Sequence, residues 1–371
     1  MKKKFDTDFR RASGAGFDGL VFVTNQELSV SQRAILSANV SGGTMIYHLE
    51  RVVAVLDQPR MARVRQQFLA LDERRDSAGG SEFFGLYQKA IDHLDSSRAH
   101  TRLGGLRVLS ALGQDYRGQR QTVVDAICGY LRTPWDSNDR SEAEVRRSAL
   151  GILAGHLRPF RGEDSLPQST SFWEGVSVDL VGAVLHEARF DGCEFAAADF
   201  ERATFIGSTG FRGAHFLGTA RFVHATFGGW WADFRGATFS GVTWFRWVNF
   251  TVNALFGSAR FRLNAEFSRA QFGEDADFTG VEVGQVGWFT HNIFHGSALF
   301  RDARFKFANY WCVDFEGHVD FAGARFTGAP PGCVEVRYQD TQNGHAHCWP
   351  EGWINELRSL PSQEHRTPPW W

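Results

Sequence analysis

The stretch ARFRLNAEFSRAQF, residues 259–272, decides the fold of this chain. In it the unit A-x-F recurs at steps of five and six residues. Residues two apart in an extended segment point to the same side, so each unit sends its alanine and phenylalanine inward and the residue between them outward. A helix cannot use this spacing, because steps of five and six would distribute the rings around its circumference.

The same register runs from Leu180 to Phe326 and contains 28 apolar centres, of which 24 are phenylalanine. Alanine stands two positions before the centre in 18 of the 28 units, so small and large side chains alternate throughout. The phenylalanine centres, which we predict to form the core of the repeats, are Phe190, Phe195, Phe200, Phe205, Phe211, Phe216, Phe222, Phe227, Phe234, Phe239, Phe245, Phe250, Phe256, Phe261, Phe267, Phe272, Phe278, Phe289, Phe294, Phe300, Phe305, Phe315, Phe321 and Phe326.

Stretches such as ADFERATF (198–205), AHFLGTARFVHATF (214–227) and ADFRGATF (232–239) resemble the bacterial pentapeptide-repeat family, whose repeats read roughly A-(D/N)-(L/F)-x-x. The resemblance covers residues 176–328. It implies a mainly β fold, a right-handed quadrilateral β-helix with four repeats per coil. The 28 centres then imply about seven coils.

The corners of such a coil should carry the departures from the five-residue repeat. Glycine two positions after a centre, as at Gly213 and Gly218, is expected where the chain turns. The six-residue steps, and the seven-residue step around Trp230 and Trp231, should bulge a corner without breaking the tube.

If every fourth centre shares a face, the outward residues sort into four faces. One face displays Asp199, Arg221, Trp244, Glu266, Trp288 and Asn309, and another alternates Asp233, Leu255, Asp277, Leu299 and Asp320. Trp244, Trp288, Leu255 and Leu299 are the candidate partner-binding residues, since aromatic side chains dominate interface hot spots. The alternative for the two tryptophans is packing beneath the helical module or the C-terminal tail.

Four segments between residues 76 and 160 place apolar residues at helical intervals. They predict an α-helical module, HEAT-like or a bundle, that caps the first coil. Ser141 and Glu144 have the spacing of a capping box. The remaining divisions are a small α/β unit at 1–75, a linker at 161–175, and a C-terminal cap and tail at 329–371.

Within the α/β unit, the stretches FVTNQELSVSQR (22–33) and IYHLERVVAVLD (46–57) resemble the C-terminal half of a restriction-endonuclease-like module found in some bacterial defence and signalling proteins. The metal-binding carboxylates and the E-x-K strand of such a module should lie upstream, yet no glutamate precedes Glu27. The resemblance therefore implies at most a truncated nuclease.

No arrangement of residues predicts catalysis, a cofactor or a metal site. His291 and His295 straddle a predicted corner and form a weak candidate ligand pair. A zinc site could be assembled from four C-terminal residues, but their spacing matches no familiar module and a cap loop with stray histidines is preferred. These four residues are Cys333, His345, His347 and Cys348.

Charge and composition limit the partners. The net charge is −2, and the segment 176–326 contains 16 acidic and 13 basic residues, so neither nucleic-acid binding nor mimicry of duplex DNA is favoured. Five scattered cysteines, the lack of a signal peptide and the lack of a long apolar run predict a cytoplasmic protein.

The leading hypothesis is a non-enzymatic scaffold for an unknown protein partner, with homo-oligomerisation left open. The alternatives are a DNA mimic that binds topoisomerases and a truncated nuclease-like defence or signalling protein.

Overall fold

The computed structural model describes residues 21–23, 45–47, 73–136, 138–159, 171–328, 332–339, 347–350 and 357–359. The chain divides into two units, Met1–Phe84 and Gly85–Trp371. In the first unit, β1 (Val21–Val23) pairs in parallel with β2 (Met45–Tyr47). Most of the α/β unit predicted at 1–75, and most of its nuclease-like segment, lie outside the described residues.

Within residues 73–159, four α-helices precede the repeats: α1 (Glu73–Leu94), α2 (Ala99–Asp115), α3 (Arg120–Arg132) and α4 (Arg140–Leu157), with a 3₁₀ turn at Arg117–Gln119. Their apolar stripes supply a core in which Val123, Ile127 and Leu153 are fully buried. Gly105 lies where α2 approaches α1, because a Cβ there would stand 2.7 Å from the carbonyl oxygen of Ala90. Of the two glycines in RLGGLR (102–107), Gly105 therefore serves a close helix contact, whereas a Cβ at Gly104 would meet nothing within 4 Å.

The capping box predicted at Ser141 and Glu144 is wrong. Helix α4 begins at Arg140, and its N-cap is Asp139, whose carboxylate accepts hydrogen bonds from the backbone N–H groups of Ser141 and Glu142. Asp139 has extended backbone geometry and a short acceptor side chain, which is what an N-cap requires.

The helical module packs on the first coil of repeats. The side chain of Gln121 in α3 exchanges two hydrogen bonds of 2.9 Å with the backbone N–H and C=O of Ser177. Trp173 is buried and stacks on His156 of α4, with 3.7 Å between the ring centroids. Gly113 makes room for the indole, since a Cβ at that position would approach it to 2.4 Å. These contacts cover the open edge that the first coil would otherwise expose.

The repeats form four ladders of short parallel strands, here named A to D. Ladders A and D share a 13-stranded sheet because β21 and β24 run through both; ladder B forms a nine-stranded sheet and ladder C a six-stranded one. The strands of ladder A are β3 (Val178–Asp179), β6 (Ala198–Asp199), β10 (Ala220–Arg221), β14 (Thr243–Trp244), β18 (Ala265–Glu266), the ends of β21 (Glu282–Trp288) and β24 (Arg304–Trp311), and β28 (Gly332–Val334). Those of ladder D are β5 (Glu194–Phe195), β9 (His215–Phe216), β13 (Thr238–Phe239), β17 (Arg260–Phe261), the beginnings of β21 and β24, and β27 (Arg325–Phe326).

Ladders B and C complete each turn of the solenoid. The strands of ladder B are β4 (Val184–His186), β7 (Thr204–Ile206), β11 (Thr226–Phe227), β15 (Asn249–Phe250), β19 (Gln271–Phe272), β22 (Ile293–Phe294), β25 (Asp314–Phe315), β29 (Arg337–Tyr338) and β30 (Arg358–Ser359). Those of ladder C are β8 (Thr209–Gly210), β12 (Trp231–Asp233), β16 (Asn253–Leu255), β20 (Ala276–Asp277), β23 (Ala298–Leu299) and β26 (Val319–Asp320). The result is a mainly β solenoid of about seven turns with parallel sheets.

The registers confirm the sorting of outward residues into four faces. In ladder A, Trp244 is the register partner of Arg221 on one side and of Glu266 on the other, and Glu266 is in turn the partner of Trp288. In ladder C, Asp277 lies between Leu255 and Leu299 in the same way. The right-handed sense and the quadrilateral cross-section stay predictions.

The interior of the tube is filled by stacked rings. Of the 24 phenylalanine centres, 23 are buried, and Phe326 alone is half-buried. Rings of successive coils in one ladder lie parallel, as for Phe205 and Phe227 at 4.5 Å between centroids. Rings of neighbouring ladders meet edge to face, as for Phe256 and Phe267 at 5.3 Å and 89°. Offset stacking and edge-to-face contacts are the two favourable arrangements of aromatic quadrupoles, so the lattice satisfies both.

Corners of two kinds alternate around each coil. After the centres of ladders A and C the second corner residue has positive φ, whether it is glycine (Gly213, φ 61°) or not (Arg269, φ 60°), and these corners span the five-residue steps. At Gly218 after ladder D, φ is not positive, but a Cβ would stand 2.3 Å from the carbonyl oxygen of Ala196 in the coil below. Glycine therefore suits the first kind of corner by its conformation but is not required there, whereas at Gly218 it is needed for close backbone approach.

The ladders continue past Phe326, where the phenylalanine series ends. Strand β28 pairs with β24, β29 pairs with β25, and Asp320 forms a parallel bridge with Cys348. Tyr338 stands where the preceding coil has Phe315. The segment predicted as a C-terminal cap thus begins with further strands of the same solenoid.

Candidate functional site

The outer surface of ladder A presents two tryptophans on one line. Trp244 and Trp288 are both half-buried, and Glu266 occupies the rung between them. Adjacent parallel strands lie about 4.8 Å apart, so the backbones of the two tryptophans are about 9.5 Å apart along the ladder. Glu266 accepts a hydrogen bond from the Ser268 hydroxyl and has no basic partner among the described residues.

Arg221, one rung before Trp244, covers part of that indole. Its guanidinium carbon is 5.1 Å from the centroid of the Trp244 ring, within the range of a cation–π contact. The same guanidinium lies 3.3 Å from Asp199 and 3.5 Å from Glu201. Two carboxylates therefore hold Arg221 against the indole and fix one edge of the aromatic surface.

A groove of about 360 Å³ lies at the N-terminal end of this surface, between α3 and ladder A. Its lining contains three carboxylates, those of Asp125, Asp179 and Asp199, against one guanidinium, that of Arg221, and Trp244 closes its far end. Asp179 is also 2.7 Å from Arg132. Asp125 receives a hydrogen bond from Gln121 and has no basic partner in the described part of the chain. The groove is consequently an acidic depression beside an aromatic surface.

Leu255 and Leu299, the other candidate residues, belong to ladder C and not to the tryptophan surface. Both are half-buried, and Asp277 separates them in the register. They stay candidates on a ladder of their own.

Aspartates in the outward position of ladders A and C have a structural role that the sequence reading missed. Each accepts a hydrogen bond of 2.8–3.2 Å from the backbone N–H two residues later, and so caps the tight corner. Five aspartates do this: Asp179, Asp199, Asp233, Asp277 and Asp320.

Arginines neutralise several acidic side chains along the tube. Asp233 pairs with Arg235 at 2.6 Å, Asp320 pairs with Arg301, and Glu282 pairs with Arg304 at 3.1 Å. A continuous anionic surface, which mimicry of DNA would need, is therefore not favoured by this charge arrangement.

Among the described residues the most exposed tryptophan, Trp230, lies away from ladder A, whereas Trp311, at the end of strand β24 of that ladder, is 50% exposed. Trp230 is 72% exposed and Trp231 is 40% exposed, at the corner that carries the seven-residue step. There Gly229 adopts φ 108°, and a Cβ at that position would stand 2.5 Å from the backbone of Gly207 in the preceding coil. The expected bulge is present, and it provides exposed tryptophans away from ladder A for comparison.

Two of the histidines considered as weak metal candidates, His347 and His295, have other partners. The ring nitrogens of His347 lie 3.3 Å from the backbone nitrogen of Val319 and 3.1 Å from the carbonyl oxygen of Gln339, so both are engaged. His295 lies 2.7 Å from Glu316. Side chains of Cys333 and His345 lie outside the described residues. Within the described part of the chain no three His, Cys, Asp or Glu side chains are grouped to hold a metal ion.

Two cysteine thiols are built into the interior. Burial raises the pKa of Cys128 in α3 and that of Cys193 in the first coils to about 12. The Cys193 thiol lies 3.5 Å from the carbonyl oxygen of Ala154 in α4. Both thiols therefore stay protonated at neutral pH and act as packing groups.

No helix in the described part of the chain combines the length and the apolar character needed to cross a membrane.

The described part of the chain from residue 171 onward is a β-solenoid of short repeats, and the helical module packs on its first coil. The sequence model named "Pentapeptide repeats (9 copies)" matches residues 190–238, which run from the first coil into the third. The solenoid is thus built of pentapeptide repeats, as the A-x-F units imply. Searches among curated proteins and among solved structures gave no match to this chain.

The sequence missed the α3 side of the groove. Arg221 and Trp244 could be placed on adjacent rungs from the repeat period alone. Gln121 and Asp125 could not, because their approach to Ser177 joins residues 56 positions apart that share no period. The one available signal was the helical periodicity of α3, which gives its buried face but not its neighbour.

Proposed function

We propose that this protein is a non-enzymatic scaffold that binds a partner protein through the outer surface of ladder A. The observation that carries the proposal is the line Trp244–Glu266–Trp288, held in register on the solenoid. The phenylalanine lattice beneath it fixes the positions of both indoles before a partner arrives. A preorganised surface loses little conformational entropy on binding, and tryptophan is enriched among residues that dominate interface energy.

The proposal also assigns a role to the helical module and a location, the cytoplasm, to the protein. We assign the module the role of covering the N-terminal edge of the solenoid and forming one wall of the acidic groove. The described cysteines, Cys128, Cys193, Cys312 and Cys348, are free thiols, which suits a reducing compartment.

The test is affinity capture from the native host with three purified full-length proteins: wild type, the double variant Trp244→Ala/Trp288→Ala, and the control Trp230→Ala. We expect the double variant to keep its circular dichroism spectrum and to lose the captured partner, because two central anchors are removed. The control removes a more exposed tryptophan from another part of the surface and should capture as well as wild type. Identical capture by all three proteins would refute the proposed surface.

A further inference from the structure

The separation of Trp244 and Trp288 selects among the shapes that a bound peptide can take. Two rungs of parallel strands span about 9.5 Å. A polyproline II helix completes one turn in three residues and about 9.3 Å. Same-side residues of an extended β-strand recur at about 6.7 Å, and an α-helix turns every 5.4 Å. Of these three repeats, only that of polyproline II matches the spacing of the tryptophans in a single period; two α-helical turns span about 10.8 Å.

The charges around the indoles indicate which kind of side chain such a ligand carries at one end. Two carboxylates near this surface have no basic partner among the described residues: Glu266 between the indoles and Asp125 in the groove beyond Trp244. Arg221 is already held by Asp199 and Glu201, and Asp179 by Arg132. The unpaired carboxylates therefore favour a cationic side chain that enters the groove next to Trp244.

The surface also suits a ligand whose backbone forms no internal hydrogen bonds. The backbone groups of ladder A pair with the adjacent rungs, so this surface offers indole rings and carboxylates and no open strand edge. Polyproline II segments bind aromatic surfaces by packing prolines on the rings, and their restricted backbone loses little entropy.

We propose that the partner segment bound by ladder A is a proline-rich peptide in the polyproline II conformation, with two prolines three residues apart and a basic residue at one end. The prolines pack on Trp244 and Trp288, and the basic residue enters the groove lined by Asp125. This inference rests on the proposed function, since it names the chemistry of the partner at the same surface.

The first experiment measures fluorescence anisotropy of labelled synthetic peptides with the full-length protein. The peptides carry P-x-x-P with arginine two residues before or two residues after it, because a polyproline II ligand can bind in either direction. We expect one of these peptides to bind, and replacement of both prolines by alanine to weaken it at least ~10-fold. Trp244→Ala and Trp288→Ala should each weaken binding to the same extent, whereas Trp230→Ala should leave it unchanged.

The second experiment tests the charge assignment. Asp125→Asn should weaken the arginine peptide several-fold and leave a peptide with glutamine at that position unaffected, whereas Glu266→Gln, between the indoles and outside the groove, should weaken the arginine peptide less. Added salt should weaken the arginine peptide for the same reason. Glu274→Gln removes an exposed carboxylate elsewhere on the solenoid and should have no effect.

The outcomes separate this inference from the proposed function. If neither peptide binds, or if a peptide that binds wild type binds Trp244→Ala and Trp288→Ala equally well, the polyproline assignment is wrong. Capture of a partner that still depends on both tryptophans would then leave the binding surface standing. A single-stranded oligonucleotide or a proline-free acidic peptide that bound more tightly than the proline-rich peptide would also overturn the assignment.

Discussion

A phenylalanine in the tube contributes according to how many rings surround it. Phe256 is fully buried and stacks between Phe234 at 4.8 Å and Phe278 at 5.0 Å. Phe326, the last of the series, is half-buried and stacks on Phe305 at 5.5 Å. Equivalent positions in the sequence pattern therefore carry unequal shares of the stability.

We expect Phe256→Ala to lower the free energy of unfolding by roughly 3–5 kcal/mol, because it removes a buried ring and leaves a cavity between two stacked neighbours. Phe326→Ala should cost less than about 2 kcal/mol, since part of that ring already contacts water. Urea unfolding followed by far-ultraviolet circular dichroism measures both. Equal losses for the two variants would contradict the ring lattice as the source of stability.

The inward residues could be predicted from the sequence and the outward ones could be interpreted only in part. Steps of five and six fix which residues face the interior, because only one side of a short strand is buried. The aspartates at 179, 199, 233, 277 and 320 look like surface charges in the sequence. Their hydrogen bonds to the corner backbone depend on turn geometry, which the repeat pattern does not specify.

Among the elements, α4 shows how two capping signals compete. Ser141 and Glu144 have the expected spacing, but Asp139 lies at the position where the chain enters the helix. Glu142 is also engaged elsewhere, since it contacts Arg102 at 2.9 Å and Arg146 at 2.6 Å. Arg146 is 3% exposed and donates further hydrogen bonds to the carbonyl oxygens of Leu131 and Thr133, so this cluster fixes where α4 begins.

Asp139→Ala should therefore destabilise the helical module by about 1 kcal/mol, the usual cost of losing an N-cap acceptor. Ser141→Ala is the matched control and should change stability by less than about 0.5 kcal/mol, because its hydroxyl is not the cap. Thermal unfolding of the full-length variants gives both values. A larger loss for the serine variant would restore the capping box that the sequence suggested.

Strand registers and helices were predictable because each follows from a local period. The ladders beyond residue 328 were not, since Cys333 and Tyr338 stand where the phenylalanine series would continue. The groove between α3 and ladder A was also beyond the sequence, because the packing of a helix on a coil follows from shape and not from spacing.

As a whole, the solenoid is a one-dimensional stack in which each coil contacts only its neighbours, so its ends are where it opens first. The N-terminal end is covered by α3 and α4. Toward the C-terminal end, Asp320 of ladder C bridges to Cys348 and pairs with Arg301. Burial would raise the pKa of Asp320, but the hydrogen bonds from the Ala322 backbone and from Arg301 outweigh it and lower the pKa below 3.8.

A lowered pKa means that the folded coil favours the carboxylate. The stabilisation is therefore complete above the ordinary value of 3.8 and is lost as the pH falls below it through the folded pKa. We expect wild type to be more stable than Asp320→Asn at pH 6, and the difference to shrink as the pH is lowered to about 2. Thermal unfolding across this range measures it, with Glu274→Gln as an exposed-carboxylate control. A difference that does not vary with pH would show that the charge of Asp320 contributes nothing.

Glu266 and Trp288 are register partners 22 residues apart, so one coil is the unit in which distances along the solenoid change. Excising the single turn 255–276 would keep every remaining inward residue in phase and bring Trp288 directly beside Trp244. Inserting one turn would instead move Trp244 and Trp288 apart by one more rung. The distance between two binding residues on this surface can thus change only in whole coils. Gain or loss of coils would therefore change which ligand repeat the surface matches, and the contacts within the remaining coils would stay the same.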